Sequence, residues 1–242
     1  MPKDSVNGVI PYHLGIMMDG GRQWAQARGL PRVVGYYAGV QAARRTVEAC
    51  GELGIRVLTL YTFSTENWQR PQGKASSLMR LAEQSIAREL PELQRNGVRL
   101  QLMGRREGLP SSLLRALDRA IEQTQDNERL TLNLALNYGG RTEIVDAARA
   151  ILAAYQRGEL DTTELNEETL ARYLYCPDVP DADLIIRTGS EWRPSDFLLW
   201  RAVGAVFWSV PILWPDFQRE HLQKAIQVYG EQVSGGEVEP AA

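Results

Sequence analysis

Two arginines and a serine fall within nine residues of this chain, in the stretch Arg187-Thr-Gly-Ser-Glu-Trp-Arg193-Pro-Ser195. They follow Asp183-Leu-Ile-Ile186, a short apolar run that reads as a buried strand, and Gly189 allows a sharp turn where it ends. Two guanidinium forks and a hydroxyl on one tight loop suit the oxygens of a phosphate or diphosphate. Taken alone, the loop is equally compatible with two arginines in a solvated turn. Asp19 follows Met17-Met18 at the end of another apolar run, where a carboxylate is costly unless hydrated, paired or metal-bound. Beside a diphosphate clamp its natural work is to hold Mg²⁺, a hard cation often bound through one carboxylate plus substrate phosphates. By itself it could equally cap the next helix. Ser64-Thr65-Glu66-Asn67-Trp68 is likewise either polar chemistry at a strand end or the capped start of a helix.

The elements that must position these residues alternate between strand and helix. Strands are expected at 13–18, 55–63, 98–103, 130–136, 183–186 and about 203–208. Helices are expected at 38–53, 76–96, 110–124, 142–157, 167–174 and beyond Pro215, with a polar, glycine-marked loop between Asp19 and Pro31. Gly97 is the expected stop of the long helix over 76–96. The alternation predicts an α/β fold: a single domain with a mainly parallel central sheet flanked by helices. An extension over residues 1–10, a domain over 11–232 and a flexible tail over 233–242 complete the expected organisation. Asp19, Ser64, Asn137 and Arg187 each close a predicted strand, so all four are expected on the carboxyl rim, where open α/β sheets bind ligands.

Composition narrows the chemistry. The 242 residues carry 27 basic and 30 acidic side chains, a net charge of −3, which gives no footprint for nucleic acid. An anionic ligand must therefore be met by a local cluster such as the arginine loop. Only His13 and His221 are present, which disfavours histidine metal sites and Ser-His-Asp catalysis. Cys50 and Cys176 lie far apart and read as buried thiols of a reducing compartment. No apolar signal core and no transmembrane segment is evident, so a cytoplasmic protein is expected.

Together, several blocks resemble the cis-prenyltransferase family, which includes undecaprenyl diphosphate synthase. They are Met18-Asp19-Gly20 with Trp24-Ala25, Arg28-Gly-Leu-Pro-Arg32 with Gly35, and Leu58 through Pro71. Leu134 through Arg141, Arg187 through Ser195, Phe197 through Trp200 and Trp214 through Phe217 follow in the family's order over roughly residues 12–217. The resemblance implies an enzyme, usually a homodimer, acting on allylic prenyl diphosphates, with a hydrophobic prenyl tunnel lined by the helix from Ser76. It implies that Asp19 holds Mg²⁺ on the allylic diphosphate. Gly20 and Arg32 match positions around that diphosphate, and Gly21, Arg22, Gln23, Trp24 and Tyr36 fall in the same block. Arg187, Arg193 and Ser195 match the clamp on the acceptor diphosphate. Ser64, Thr65, Glu66, Asn67, Trp68 and Arg70 match the second block, with Ser64 and Asn67 as catalytic candidates.

The chain also departs from the family pattern. Gly21, Arg22 and Gln23 replace an Asn, a Gly and an Arg, Tyr36 stands for a His, and Lys74 for a Glu. Val206 stands where a Glu helps place Mg²⁺ at the acceptor diphosphate, and the arginine-rich ending is replaced by Tyr229-Gly-Glu-Gln-Val233. Thr62, expected at the tunnel floor, replaces an Ala, while Leu130 matches the family nearby. The carboxylate and the arginine clamp persist, whereas acceptor-side positions change. That pattern resembles a branch making irregular, lavandulyl-type diphosphates by joining dimethylallyl diphosphate head-to-middle to dimethylallyl or geranyl diphosphate. Regular cis addition of isopentenyl diphosphate, a non-catalytic accessory subunit, and a phosphate-binding regulator without chemistry are the alternatives.

Overall fold

The computed structural model of the chain describes residues 9–69, 74–161, 163 and 165–235. Six parallel strands form one sheet in the order β3-β4-β2-β1-β5-β6. They are β1 (His13–Met17), β2 (Val57–Ser64), β3 (Val98–Met103), β4 (Leu130–Tyr138), β5 (Leu184–Thr188) and β6 (Val206–Val210). The α/β architecture with a parallel central sheet is as the sequence predicts. Strands β1 and β5 are buried at every residue, which is why they read as apolar runs rather than alternating ones.

Helices α1 (Gly21–Ala27) and α2 (Arg32–Leu53) connect β1 to β2, and α3 (Lys74–Arg95) connects β2 to β3. Then α4 (Ser111–Thr124), α5 (Gly140–Gln156), the short α6 (Glu167–Ala171) and α7 (Arg219–Ser234) follow. One large apolar core lies between the sheet and α2, α3, α4 and α7. A smaller one, around Tyr138, Ile185 and Phe197, lies on the opposite face.

Strand β1 is the pivot. It pairs with β2 on one side and β5 on the other, with Met17 level with both Tyr61 and Arg187. The chain leaves β1 toward β2 and leaves its neighbour β5 toward β6, in opposite directions, so a crevice opens beyond the carboxyl ends of this pair, where ligands of such sheets collect.

Three expectations are corrected. The polar loop after Asp19 contains helix α1, whose Arg-Gln-Trp-Ala-Gln-Ala run has good helix formers once Gly20, at φ 112°, has turned the chain. Helix α2 begins at Arg32, six residues before the expected start, because Pro31 sets its entry and its first turns pack on α1. Strand β5 runs through Thr188, so Arg187 lies inside the strand instead of after it. Residues 1–8 and 236–242, which hold most of the expected extension and tail, lie outside the described residues, and Tyr229–Val233 belongs to α7.

Candidate active site

A cavity of about 1010 Å³ lies between the sheet, α2 and α3, and it opens at the carboxyl rim. Its rim end is lined by Asp19, Ser64, Asn67, Arg187 and Arg193, together with the Gly20–Gln23 segment, Arg32 and Tyr36. Below them the wall turns apolar, with Val40 and Ala43 from α2, Ala82 and Ile86 from α3, and Leu60 and Leu134 from the sheet. Nineteen residues of α2 separate Arg32 from Gly51, which lines the far end. At the helical rise this makes the cavity about 28 Å long.

Arg187 organises the rim. Its side chain is only 7% exposed, and its Nε donates to Asp19 Oδ2 at 2.8 Å. Its Nη1 donates to Ser195 Oγ at 2.9 Å and to the carbonyl of Arg193. Asp19 is held from behind as well: its carbonyl accepts from Thr188 Oγ1 at 2.7 Å and from the Trp214 N–H at 2.9 Å. The carboxylate, 44% exposed, faces the cavity with its backbone fixed. Gly189 makes this approach possible, since its φ is +87° and an added Cβ would stand 3.3 Å from Asp19 Cβ. Arg193 is mostly exposed and pairs with Glu191 at 3.1 Å, so it is free to swing toward an anion that enters the rim.

Helix α1 is brought against the rim by Gly35, because a Cβ there would lie 2.1 Å from the Gly21 carbonyl oxygen. Ser64 caps the single-turn helix Thr65–Gln69 by accepting from the Glu66 N–H at 3.1 Å, which leaves its own O–H able to donate. Tyr61 lines the cavity too, and burial pushes its phenol up to about 12, so it stays a neutral donor.

Other expected site residues serve the scaffold. Trp24 donates to Asp216 Oδ1 at 2.7 Å and lies under the Arg28 guanidinium, away from the cavity. Trp68 donates to Asn137 Oδ1 at 2.7 Å and packs edge-on against Phe63, and Thr65 and Glu66 lie outside the cavity wall. Asn137 corrects the expectation of four converging strand ends. Its side chain is turned to the Arg105 and Glu107 carbonyls and holds that loop, while Asp19, Ser64 and Arg187 do share the rim. Ser195 acts through Arg187 and is not itself in the wall. Arg70 lies outside the described residues. Thr62 faces the cavity two residues from the end of β2, so it stands near the rim and not at the floor, and Leu130 is in the core.

Val206 is also displaced from its expected place. It pairs with Leu184 at the start of β6, three residues before the level of Arg187, or about 10 Å along the strand. Within one chain it does not reach the rim, where Ser209 is the residue level with Arg187. Sequence reasoning missed Tyr61, hidden in an otherwise buried strand, and Glu191, whose place two residues before Arg193 was the available signal.

The profile of the prenyltransferase family described as "Putative undecaprenyl diphosphate synthase" matches residues 17–234. The chain belongs to the cis-prenyltransferase family. The prenyltransferase is 46% identical over 220 residues to an isoprenyl transferase of Heliobacterium mobile, covering 91% of this chain and 85% of that one. It is 46% identical over 223 residues to an isoprenyl transferase of Thermotoga maritima, covering 92% and 95%. Its fold superposes on the crystal structure of lavandulyl diphosphate synthase from Lavandula x intermedia in complex with dimethylallyl diphosphate. The TM-score is 0.87 at 33% identity, covering 93% of this chain and 96% of that one. The chain is thus a prenyl diphosphate synthase of this family, and its cavity wall and charged rim match what such an enzyme needs.

A divalent metal is typical of the family. Among the described residues no group of three or more His, Cys, Asp or Glu side chains could hold a metal by itself. Asp19 offers a hard oxygen donor beside Arg187, while Glu191 at the same rim is paired with Arg193, which fits a cation held by one carboxylate and completed by phosphate oxygens and water. Among the described residues no helix is long and apolar enough to cross a membrane.

Proposed function

We propose that the enzyme joins two short allylic diphosphates head-to-middle, with dimethylallyl diphosphate as acceptor and dimethylallyl or geranyl diphosphate as donor, to give a lavandulyl-type diphosphate. One observation carries this reading. Gly21, Arg22, Gln23 and Tyr36, at which the chain departs from the family pattern, all line the rim, beside an Asp19, Arg187 and Arg193 that persist. Change is concentrated on the rim around Asp19 and the donor diphosphate while the acceptor clamp persists, so a different pairing of substrates is read from it, and the likeness to lavandulyl diphosphate synthase supports that reading.

In this reading Asp19 would hold Mg²⁺ together with the donor diphosphate, and the ion supplies Lewis-acid neutralisation of the leaving group. Arg22 and Arg32 donate to the same diphosphate, and Arg187 and Arg193 donate to the acceptor's. Positive groups fixed where charge develops lower the barrier to ionisation. Ser64 and Asn67 orient the reacting ends, and the apolar wall below keeps water from the allylic carbon. The double bond of the acceptor attacks that carbon, a carbon–carbon bond forms, the diphosphate departs, and a proton leaves the acceptor. A homodimer is proposed with it, because β6 is an edge strand beside the exposed Val203 and needs cover.

Regular cis addition of isopentenyl diphosphate is the second reading. It is favoured by the depth of the cavity, which exceeds what a ten-carbon product fills, and by the isoprenyl transferase relatives. The two separate in one assay with Mg²⁺ and dimethylallyl diphosphate, with and without geranyl and isopentenyl diphosphates. Branched alcohols recovered after dephosphorylation, without isopentenyl diphosphate, support the irregular reaction. Linear cis-prenols that appear only with isopentenyl diphosphate overturn it.

A further inference from the structure

Between the rim and the far end, where Glu52 and Arg129 also line it, the apolar cavity wall is interrupted by a cluster of charge. Arg44 of α2 reaches across the seam between α2 and α3, and Arg44, Glu48, Glu89 and Glu92 all line the cavity. Arg44 Nε donates to Glu48 Oε1 at 3.0 Å on its own helix. Its Nη1 and Nη2 lie 3.6 and 3.3 Å from Glu89 Oε2 and Glu92 Oε1 on α3. Both acids are paired within α3 too, Glu89 with Arg88 Nε at 2.9 Å and Glu92 with Arg95 through the same oxygen that faces Arg44. One guanidinium thus faces three carboxylates, and two of them are on the opposite helix.

Above this level the wall offers Val40, Ala43, Ala82 and Ile86, on which an isoprene chain buries apolar area. At this level the helix-seam side of the wall carries four charged groups that hydrocarbon cannot repay with hydrogen bonds, while Val47, Leu93 and Leu100 keep the remaining wall apolar, so a chain that extends further is narrowed to the sheet side. Twelve residues of α2 put Arg44 about 18 Å below Arg32. Four chain carbons of an extended isoprene repeat span about 5 Å, so the fourth repeat is the first to meet the charges.

We infer that the Arg44–Glu89–Glu92 clasp is a specificity determinant that sets the longest prenyl chain the cavity accepts. The inference rests on the cavity being the prenyl tunnel, and it holds for regular and irregular coupling alike. Because the pairs are partly exposed, salt weakens the clasp.

The test is calorimetric binding of the unreactive thio-analogues of geranyl, farnesyl and geranylgeranyl diphosphates with Mg²⁺ present, so that no turnover intervenes. In the unmodified enzyme, affinity should rise from geranyl to farnesyl diphosphate and then level off. In Arg44→Ala, and in the double variant Glu89→Gln/Glu92→Gln, geranylgeranyl diphosphate should bind about tenfold more tightly than in the parent, with geranyl diphosphate unchanged. Product mixtures should lengthen in the same variants. The same length profile in all three proteins overturns the clasp while leaving the tunnel in place. No binding of geranyl diphosphate to any of them overturns the tunnel reading itself, and the clasp with it.

Discussion

Gly35→Ala is expected to cut turnover on the order of 10²-fold in a chain that still folds. The added Cβ would lie 2.1 Å from the Gly21 carbonyl oxygen and 3.1 Å from Ala25 Cβ, whereas ordinary contacts begin at 3.4 Å. Backbone cannot rotate out of the way as a side chain can, so α1 must move off α2 by more than 1 Å. Gly20, Gly21, Arg22 and Gln23 line the rim and move with it. Overpacking of this kind costs about 1–3 kcal/mol. For a chain of this size that is a fall in Tm of about 2–12 °C. A misplacement of about 1 Å at a reacting centre can cost on the order of 10²-fold in rate. The assay is kcat/KM for product formation beside a calorimetric melt of the same preparation. A variant within threefold of the parent rate would show that α1 does not position the reaction, and the role given to Gly35 would be withdrawn.

Asp19→Asn keeps an oxygen that can accept from Arg187 but removes the charge. Turnover should fall on the order of 10²–10³-fold with the fold intact, as the loss of one preorganised electrostatic group does, and a variant that keeps parental kcat would remove Asp19 from catalysis. Glu143 and Arg201 form a buried ion pair at 2.9 Å, with side chains 1% and 3% exposed, and Tyr138 donates to the same carboxylate. Glu143→Ala strands the arginine, so a loss of about 3–5 kcal/mol is expected in urea unfolding, and less than 1 kcal/mol would contradict the pairing. Burial lowers the pKa of His13 from 6.5 to about 4, and its ring sits between the Pro180 carbonyl and Thr59 Oγ1. The folded state thus prefers the neutral ring. Its contribution is fully present above pH 6.5 and is lost as pH falls toward 4, by about 3 kcal/mol. Unfolding free energies measured across that window should show a steeper loss in the parent than in His13→Gln, and equal slopes would refute it.

The parts of this molecule that could be read from sequence are those with a local signature. Strands β1 and β5 are short apolar runs ending in polar residues, and Gly97, at φ +65°, stops the chain after α3 as a C-terminal glycine does. Asp19 and Arg187 could be singled out because charge at the end of a buried strand needs a reason. What could not be read depended on side-chain direction and on distance in space. Asn137 sits at a strand end as expected, yet its φ of +52° and its amide contacts turn it into a bracket for the neighbouring loop. Trp24 lies in the first rim block but points to Asp216. Val206 needed the register of β6 against β5, which no local pattern encodes. Arg44 carries no local signal in the sequence, and only the placing of α3 across the seam gives it a role.

A crystal structure of the protein with Mg²⁺ and a non-hydrolysable thio-analogue of geranyl diphosphate tests the assignment of this cavity most directly. The diphosphate should appear at the rim in contact with Arg187, with the metal on Asp19, and the hydrocarbon should run between α2 and α3 toward Ala43 and Ile86. A diphosphate bound away from Asp19 and Arg187, or a hydrocarbon lying on the outer surface, would contradict it.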